Sequence, residues 1–258
     1  MAHTEGIRIK KKFGQHFLRD ERVVEHMIEA VEITNATSVF EIGCGDGFLT
    51  RAILRHPVAR LWVFEIDPEW ATYVQSTVKD SRLHMVQDNF LTIDPAMIAP
   101  FQPWTVLANL PYQITFPILR WFQENRHLIK EGVVMVQEEV AQKIMKTSGR
   151  GYGFPSLFFQ RYFSWRMLDK IPPAAFFPPP KVNSRLLYFK PHYDVEPILD
   201  EEGFWRFIKV CLHQPRRTMR NNLAQSHYDI NKLSQELLNS RAQQLSMDDF
   251  IKLWMLLR

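Results

Sequence analysis

Four consecutive residues carry the clearest chemistry in this chain: Asn109, Leu110, Pro111 and Tyr112, which follow the apolar run 104–108. The side-chain oxygen of Asn109 and the main-chain carbonyl of Leu110 can together accept both N–H bonds of an exocyclic amino group. The ring of Tyr112 can cover one face of a planar base. The motif therefore predicts chemistry on the N6 amino group of adenine.

A glycine-rich turn upstream of this motif predicts a ligand site. The apolar run 39–42 reads as a buried strand that leads into Gly43, Gly45 and Gly47, and helical spacing resumes at Phe48. Glycine lets the backbone turn tightly and approach a ligand closely. The pattern alone is weak support, because ordinary turns share it.

Acidic residues end the next two apolar runs. Residues 65–67 (Glu-Ile-Asp) close the run 61–64, and Asp88 closes the run 83–87. The first acid stands about 20 residues beyond the turn, where doubly wound folds place a carboxylate on ribose hydroxyls. We therefore expect three strand ends to converge on one nucleoside-like ligand.

The order of the glycines distinguishes between two such ligands. Dinucleotide sites favour Gly-x-Gly-x-x-Gly, because a pyrophosphate needs bare amides at a helix N-terminus. Here the order is Gly-x-Gly-x-Gly, and Glu41 precedes it, where its carboxylate would repel a phosphate. A cationic ligand that carries adenosine, such as S-adenosyl-L-methionine, fits this turn better than NAD.

Composition bounds the setting. A chain of 258 residues with 46% hydrophobic content can bury one large core and a smaller appendage. The two cysteines, Cys44 and Cys211, offer neither metal spacing nor a disulfide framework, so we expect no metal and a reducing compartment. No apolar segment reaches signal-peptide length or the roughly 18 residues of a membrane span. These observations predict a cytoplasmic protein, with a monomer as the default.

Positive charge is concentrated in patches. Residues 141–192 hold nine Lys or Arg against Asp169 alone, a balance of +8 within a net charge of +4. Two further basic sets comprise Arg206, Lys209, Arg216, Arg217 and Arg220 in one case, and Arg8, Lys10, Lys11 and Lys12 in the other. Solvated surface is the ordinary explanation of such runs. Beside an adenine clamp they favour RNA as partner, since each neutralised phosphate releases counterions.

Hydrophobic periodicity predicts an α/β fold followed by helices. Strands are expected near 38–43, 60–66, 82–88, 104–109 and 132–137, alternating with helices near 48–56, 68–79, 115–129 and 138–147. A helix is expected over 21–31, and strands over 158–168 and 184–190 complete a parallel sheet with helices on both faces. After Pro197 we expect helices over 203–212, 216–224, 231–239 and 246–257, with a domain boundary near 191–200.

Six motifs in order resemble those of the KsgA/RsmA ribosomal RNA adenine dimethyltransferase family. They are 13–18 (Phe-Gly-Gln-His-Phe-Leu), the turn 41–47, the acidic strand end 65–67, the clamp 109–112, 136–140, and 176–184 (Phe-Phe-Pro-Pro-Pro-Lys-Val-Asn-Ser). The resemblance covers nearly the whole chain. It implies a Rossmann-like class I methyltransferase domain over 1–195 and a small all-helical RNA-binding domain over 196–258.

The resemblance also assigns roles to matching positions. Glu65 would bind the ribose hydroxyls, Asp88 the adenine amino group and Gly43 the methionine side of S-adenosyl-L-methionine. The full implied cofactor set is Gln15, His16, Leu18, Gly43, Gly45, Glu65, Ile66, Asp88, Asn89 and Asn109. Asn109, Leu110, Tyr112 and Phe176 would form the catalytic group, with Tyr112 and Phe176 as stacking platforms. Lys181, Arg216, Arg217 and Arg220 would grip RNA.

The implied substrate is a pair of adjacent adenosines near the 3′ end of small-subunit (16S) ribosomal RNA, each dimethylated on the immature 30S subunit. The chain departs from the family pattern in four places. His16 replaces the usual Asn, Cys44 the usual Pro and Glu138 a Lys, and the stretch 151–155 lacks an Arg that the family usually has before the following Ser. A titratable ring at position 16 could make cofactor affinity depend on pH. Glu138 leaves the details of RNA docking open.

Alternatives remain at this stage. The chain could modify large-subunit RNA, as do the related methyltransferases of macrolide resistance, or it could be a ribosome-assembly or transcription factor that keeps the fold without turnover. Glu65 and Asp88 could merely cap helices. Phe176 could be a core residue rather than a stacking platform.

Overall fold

The computed structural model describes residues 3–10 and 13–258. Lys11 and Lys12, which belong to the expected N-terminal basic set, lie outside the described residues. The chain forms two compact units. The first comprises Met1–Ala141 and Phe163–Tyr193, and the second comprises Gln142–Tyr162 and Asp194–Arg258. One division falls inside the expected boundary region, but the sequence had assigned residues 142–162 to the first domain.

A seven-stranded sheet organises the first unit. Its strands are β1 (Ser38–Ile42), β2 (Arg60–Phe64), β3 (Leu83–Val86), β4 (Trp104–Asn109), β5 (Ile129–Gln137), β6 (Phe163–Ile171) and β7 (Ser184–Pro191). The strand order is β3-β2-β1-β4-β5-β7-β6. Strands β1 to β5 pair in parallel, whereas β7 runs antiparallel to both β5 and β6. The α/β prediction is confirmed, with one reversed strand.

Helices connect these strands: α1 (Glu21–Glu29), α2 (Phe48–Leu54), α3 (Pro68–Thr77), α4 (Thr115–Glu124) and α5 (Glu138–Met145). Local sequence explains where two of them begin. The carboxylates of Asp20 and Asp67 cap α1 and α3, each accepting a backbone N–H two residues on, and Pro68 occupies the first turn of α3, where its missing donor costs nothing. Gly47, in a left-handed conformation, starts α2.

The two faces of the sheet bury different side chains. Val39 and Leu107 join an aliphatic cluster with the buried residues of α1 and α2. Phe40, the next residue along β1, points the other way because side chains alternate along a strand, and it contacts an aromatic cluster. There the ring of Phe122 on α4 lies 6.1 Å from Phe40 and 5.5 Å from Phe189.

The expected strand over 158–168 is wrong in its first half. Residues Phe154–Tyr162 form helix α6, and β6 begins only at Phe163. The aromatic run favoured a strand in the sequence, but its buried members Phe158 and Tyr162 have i, i+4 spacing, and Pro155 is tolerated in a first helical turn. Helix α4 is likewise shorter than expected, and β5 begins at Ile129.

The second unit is helical: α6, α7 (Glu201–Cys211), α8 (Met219–Leu223), α9 (Gln235–Asn239) and α10 (Met247–Leu257). The expected helices over 216–224 and 231–239 shrink to α8 and α9. Thr218 and Ser234 cap these helices through their hydroxyls, and a hydroxyl cap fixes a later start. Ser246 and Asp249 form the expected capping box at α10.

Candidate functional site

A cavity of about 280 Å³ lies at the carboxyl ends of the parallel strands in the first unit. Its walls come from the segments that follow β1, β2, β3 and β4, and from an N-terminal segment. The lining residues are 13–18, 41–46, 48–49, 64–66, 88–91 and 109–114. The expected convergence of the strand ends is therefore observed, at the edge where open α/β sheets bind ligands.

The glycine turn needs glycine for two reasons. Gly43, Gly45 and Gly47 have φ angles of 73°, 53° and 81°, which favour glycine. A Cβ on Gly45 would also lie 2.8 Å from the ring of Phe17, whereas on Gly43 the nearest atom, in Pro111, would be 3.7 Å away. Gly45 is thus constrained by space as well as by conformation.

The Glu65 carboxylate holds this turn in place. Its Oε2 accepts the backbone N–H of Gly45 at 3.1 Å, and its Oε1 accepts that of Asp67 at 2.8 Å. Burial raises the pKa of Glu65, and these two donors oppose the rise. The side chain lines the cavity but is only 5% exposed. Its contact with ribose hydroxyls stays a prediction.

Glu41 is a second buried carboxyl group at the cavity. It is 1% exposed and accepts the Thr50 hydroxyl at 2.7 Å. Burial, together with the negative charges of Glu65 and Asp46, raises the pKa of Glu41 to about 8, although Thr50 lowers it. A nearby cation favours the ionised form of such a group, whereas an anion opposes it. The buried carboxyl groups of this cavity therefore fit a cationic ligand such as S-adenosyl-L-methionine.

The end of β3 supplies polar groups that are less enclosed. Asp88 is exposed, and its Oδ1 accepts the backbone N–H of Asn89 at 2.7 Å. The side chain of Asn89 accepts the N–H of Leu91 at 3.1 Å and so caps the following turn. Ile66, at the end of β2, offers a 48% exposed apolar side chain to the same cavity. A flat, partly exposed base would suit this combination.

The N-terminal segment is tied to β2 through Asp67, which is fully buried. Asp67 accepts the Lys10 ammonium at 2.6 Å and the Gln15 amide at 3.0 Å, and the Gln15 oxygen accepts the backbone N–H of Lys10. Gln15 lines the cavity, but its side-chain amide is engaged in this anchor. Leu18 is buried against the core and also lines the cavity. Gln15 thus has a structural task that its sequence position did not reveal.

The Asn109–Tyr112 turn follows β4 and faces the N-terminal segment. The Asn109 amide nitrogen donates to the His16 carbonyl at 3.3 Å, and the Leu110 N–H donates to Met135 at 3.1 Å. The hydroxyls of Tyr112 and Ser184 lie 2.6 Å apart. With its nitrogen engaged, Asn109 keeps its side-chain oxygen as an acceptor. That this oxygen and the Leu110 carbonyl together accept a substrate amino group stays a prediction.

Phe176 is not brought into the cavity. Its backbone pairs with Leu18, and its side chain is 4% exposed within the aliphatic cluster. This placement agrees with the core interpretation and not with the expected stacking platform. Phe177, the next residue, points to the opposite side of the strand and is 42% exposed.

The expected RNA-binding residues lie outside the cavity lining. Lys181 is exposed in the first unit. Arg216 and Arg217 are exposed in the second unit, where Arg220 donates to Gln235 at 2.6 Å. Each of these side chains is accessible to solvent, but its position alone does not identify a nucleic acid as its partner.

Two departures from the family pattern have structural explanations. Cys44 is buried, its pKa is raised mainly by burial, and its Sγ lies 3.7 Å from Glu65, so it fills space. Glu138 forms a two-oxygen ion pair with Arg185, with N···O distances of 2.7 and 2.9 Å. The sequence missed this pair because its members are 47 positions apart.

The residues that sequence reasoning missed in the cavity wall are mainly Phe17 and Asp46. Phe17 packs against the Gly45 position, and Asp46 forms an ion pair with Arg19 at 2.6 Å. Both lie inside motifs already recognised, at 13–18 and 41–47. Their positions inside these motifs were the feature of the sequence that could have identified them as cavity residues.

Solved structures place this chain among proteins with the class I methyltransferase fold. A dimethyladenosine transferase from Plasmodium falciparum superposes with a TM-score of 0.78 at 20% identity, covering 93% of this chain and 96% of that one. A 23S rRNA methyltransferase, ErmE, gives 0.70 at 22% identity, covering 93% and 99%. The fold is thus shared across both.

Sequence comparison narrows the class to a family. The profile described as ribosomal RNA adenine dimethylase matches residues 6–258, and the chain belongs to that family. The Chlorobium phaeobacteroides protein named ribosomal RNA small subunit methyltransferase A is 36% identical over 98% of this chain and 92% of its own length. The protein of the same name from Syntrophotalea carbinolica is 36% identical over 97% of both.

Within the described ranges, no helix combines the length and apolar character needed to cross a membrane. Nor do residues 3–10 and 13–258 bring together three His, Cys, Asp or Glu side chains in a group that could hold a metal ion.

Proposed function

We propose that the protein transfers methyl groups from S-adenosyl-L-methionine to N6 of two adjacent adenosines near the 3′ end of 16S ribosomal RNA. Each base would become N6,N6-dimethyladenosine during maturation of the small subunit. The observation that carries the proposal is the Asn109–Tyr112 turn at the mouth of a cavity with buried acids. Membership of the adenine dimethylase family and the names of the relatives support it.

The cofactor would lie in the cavity described above. S-adenosyl-L-methionine supplies an electrophilic methyl group on a sulfonium centre. Glu41 would favour its positive charge, Glu65 and Asp88 would hold the ribose and the base amino group, and Ile66 would cover the base. The positive-φ glycines let the backbone come close to the methionine side. Gln15 and His16 would close the remaining wall.

The catalytic turn would act by orientation. The N6 lone pair of adenine is delocalised into the ring, which makes it a poor nucleophile. Hydrogen bonds from its two N–H groups to Asn109 Oδ1 and the Leu110 carbonyl favour the localised, pyramidal form and direct the lone pair. A strong base is unnecessary, because the proton becomes acidic only after the nitrogen has attacked. Tyr112 would hold the base that has left its stack.

The RNA would be gripped through Lys181 and through the loop that carries Arg216 and Arg217, with Arg220 beside it. Cations exposed on a surface suit a phosphate backbone. We propose the immature 30S subunit as the partner, and a monomer in the cytoplasm as the working form.

The proposal is tested with ribosomal subunits that lack the modification. The protein, labelled S-adenosyl-L-methionine and immature 30S particles are combined, and primer extension maps the modified adenosines. We expect two adjacent positions near the 3′ end of 16S RNA to be labelled. Asn109→Ala should lower the rate about 100-fold or more, because it removes an interaction that orients the reacting atom. The exposed Asn231→Ala variant serves as control.

Other outcomes contradict the proposal in distinct ways. In a parallel reaction with large-subunit particles, labelling of 23S RNA and not of 16S RNA would assign the protein to large-subunit modification. Tight binding of RNA without any methyl transfer would make it an assembly or transcription factor that kept the fold.

A further inference from the structure

His16 stands where three parts of the site meet, all of them in the first unit. Its Nδ1 lies 2.8 Å from the carbonyl oxygen of Pro178. A carbonyl oxygen only accepts, so Nδ1 carries the proton. The imidazole therefore links the N-terminal segment to the proline-rich segment 176–183.

The same residue contacts the catalytic turn twice. Its ring stacks on Tyr112, with centroids 5.9 Å apart and planes inclined by 25°. Its main-chain oxygen accepts the Asn109 amide nitrogen at 3.3 Å, which leaves the Asn109 oxygen free to accept from a substrate. Any residue at position 16 supplies that oxygen, whereas only the imidazole supplies both the ring and the Nδ1–H.

We propose that His16 is a positioning residue that fixes segment 176–183 against the Asn109–Tyr112 turn. The inference rests on the proposed function and adds to it a residue that organises the RNA side of the cleft. Segment 176–183 carries the exposed side chains of Phe177, Lys181 and Val182. Within residues 3–10 and 13–258, the backbone pairing of residues 17–18 with 176–177 and the His16 link join it to the N-terminal segment. Just before the segment, the Ala175 carbonyl accepts the Arg19 N–H.

The consequence is that entry of a base should depend on the Nδ1–H bond more than on the size of the side chain. With the bond intact, Pro178 is held at a defined distance from the Tyr112 ring. Without it, the segment beyond the two-residue pairing at 176–177 loses its nearest anchor. The Pro178 carbonyl would then turn to water and carry the following residues with it.

Two variants separate the bond from the ring. In His16→Asn the amide nitrogen takes the place of Nδ1, so the bond to Pro178 is kept and the ring is lost. In His16→Phe the ring is kept and the donor is lost. His84→Phe is the matched control. His84 lies on β3, its ring centroid is 5.6 Å from that of Trp62 on β2, and it does not line the cavity.

Hydrogen exchange followed by mass spectrometry reports on the segment without requiring activity. Pro178, Pro179 and Pro180 have no amide hydrogen, so the segment reports through the amides of Phe176, Phe177, Lys181, Val182 and Asn183. We expect faster exchange at these amides in His16→Phe, with exchange in His16→Asn and His84→Phe close to that of the unsubstituted protein. In methyl transfer to 30S particles, His16→Phe should lower kcat about 3- to 10-fold, the range that corresponds to one lost hydrogen bond. His16→Asn should lower kcat less than His16→Phe does, because its bond survives. Because His16 also lines the cofactor cavity, the Kd for S-adenosyl-L-methionine is measured in both variants, and the loss of kcat in His16→Phe should exceed any change in that Kd.

An unchanged rate of amide hydrogen exchange in His16→Phe would overturn the inference. An equal loss of kcat in His16→Asn and His16→Phe would overturn it as well. A weaker cofactor Kd that accounts for the whole loss would assign His16 to cofactor binding instead and would equally overturn it. Absence of methyl transfer by the unsubstituted protein would defeat the proposed function, while the exchange result would still decide the role of His16.

Discussion

The Glu65 carboxylate accepts the backbone N–H of Gly45 at 3.1 Å, and this bond joins the ends of β1 and β2 beneath the cavity. The other carboxylate oxygen accepts the N–H of Asp67. One buried side chain thus fixes both strand ends. The shape of the glycine turn is consequently set by the protein itself, which reduces the ordering that a ligand has to impose.

Gly43 and Gly45 should differ in how well they tolerate an added methyl group. Gly43→Ala should cost about 1 kcal/mol in free energy of unfolding, because its φ is positive but a Cβ there would make only an ordinary contact with Pro111 at 3.7 Å. Gly45→Ala should cost about 2–4 kcal/mol, since its Cβ also meets the Phe17 ring. Urea unfolding without ligand measures both. Adding Phe17→Leu to Gly45→Ala should recover part of the loss, and equal costs at the two positions would contradict this explanation.

Glu41 should make cofactor binding release a proton. With a pKa of about 8, its carboxyl group is mostly protonated at pH 7, and a bound cation favours the ionised form. Affinity for S-adenosyl-L-methionine should therefore rise with pH and level off above about pH 8. Calorimetry at pH 7 in two buffers of different ionisation enthalpy measures the release. In Glu41→Gln the release should fall to that of the ligand's own groups, and an unchanged value would refute the assignment.

The same group gives a stability prediction with a defined sign. The pKa of Glu41 rises from 4.5 to about 8 on folding, so the folded state holds the extra proton. Stability should therefore fall as pH rises from about 4.5 to about 8. Glu41→Gln, whose oxygen can still accept from Thr50, should reduce that fall in unfolding experiments without ligand. A pH profile identical to that of the unsubstituted protein would contradict the burial argument.

The sequence predicted the parallel strands and their converging ends because both depend on local patterns. A short apolar run and the glycine or acid that ends it are visible within about ten residues. It did not reveal that the Glu65 oxygens are engaged by main-chain donors, since the carboxylate type is visible in a sequence and its partners are not. The burial of Phe176 was hidden for a similar reason, because its backbone pairing with Leu18 joins distant parts of the chain.

The second unit was harder to predict because short helices depend on caps. Thr218 and Ser234 each start a five-residue helix, and the polar residues before them read as helical by composition. Helix α6 was missed for the opposite reason, since an aromatic-rich run satisfies strand and helix patterns equally. Packing within a unit decides such cases, and packing is not a local property.

Tyr112 should act through its ring more than through its hydroxyl. Tyr112→Phe keeps the ring but leaves the buried Ser184 hydroxyl without its partner, which should cost about 1–2 kcal/mol in stability. Its kcat should stay within a few-fold of the unsubstituted value. Tyr112→Ala removes the stacking face, and kcat/KM for 30S particles should fall about 5- to 100-fold.

Ser184→Ala provides the control for the Tyr112 pair. It should lower stability as Tyr112→Phe does and leave kcat nearly unchanged. Methyl-transfer rates and thermal unfolding of the three variants separate the two roles. A loss of activity in Tyr112→Phe as large as in Tyr112→Ala would show that the hydroxyl takes part directly.

Asn222 braces the loop that carries Arg216 and Arg217 in the second unit. Its Oδ1 accepts the Gln214 N–H at 3.3 Å, and its Nδ2 lies 3.1 Å from the Gln214 carbonyl and 3.5 Å from that of Arg217. The loop backbone between α7 and α8 is therefore held by a neutral side chain that has no charge to offer RNA. Removing it should disturb the presentation of the arginines without changing their number.

Asn222→Ala should accordingly weaken RNA binding about 3- to 10-fold, as expected for lost bracing hydrogen bonds, while the slope of log K against log salt stays constant. Arg216→Ala should weaken binding and also reduce that slope by about 1, because one phosphate contact is lost. Filter binding over a range of salt concentrations measures both quantities. Asn221→Ala, a change of the same chemistry one position away, should bind as the unsubstituted protein does. Equal affinities for the Asn221 and Asn222 variants would show that the brace is irrelevant to RNA, whereas a lower slope in Asn222→Ala would mean that the loop had lost an arginine contact outright.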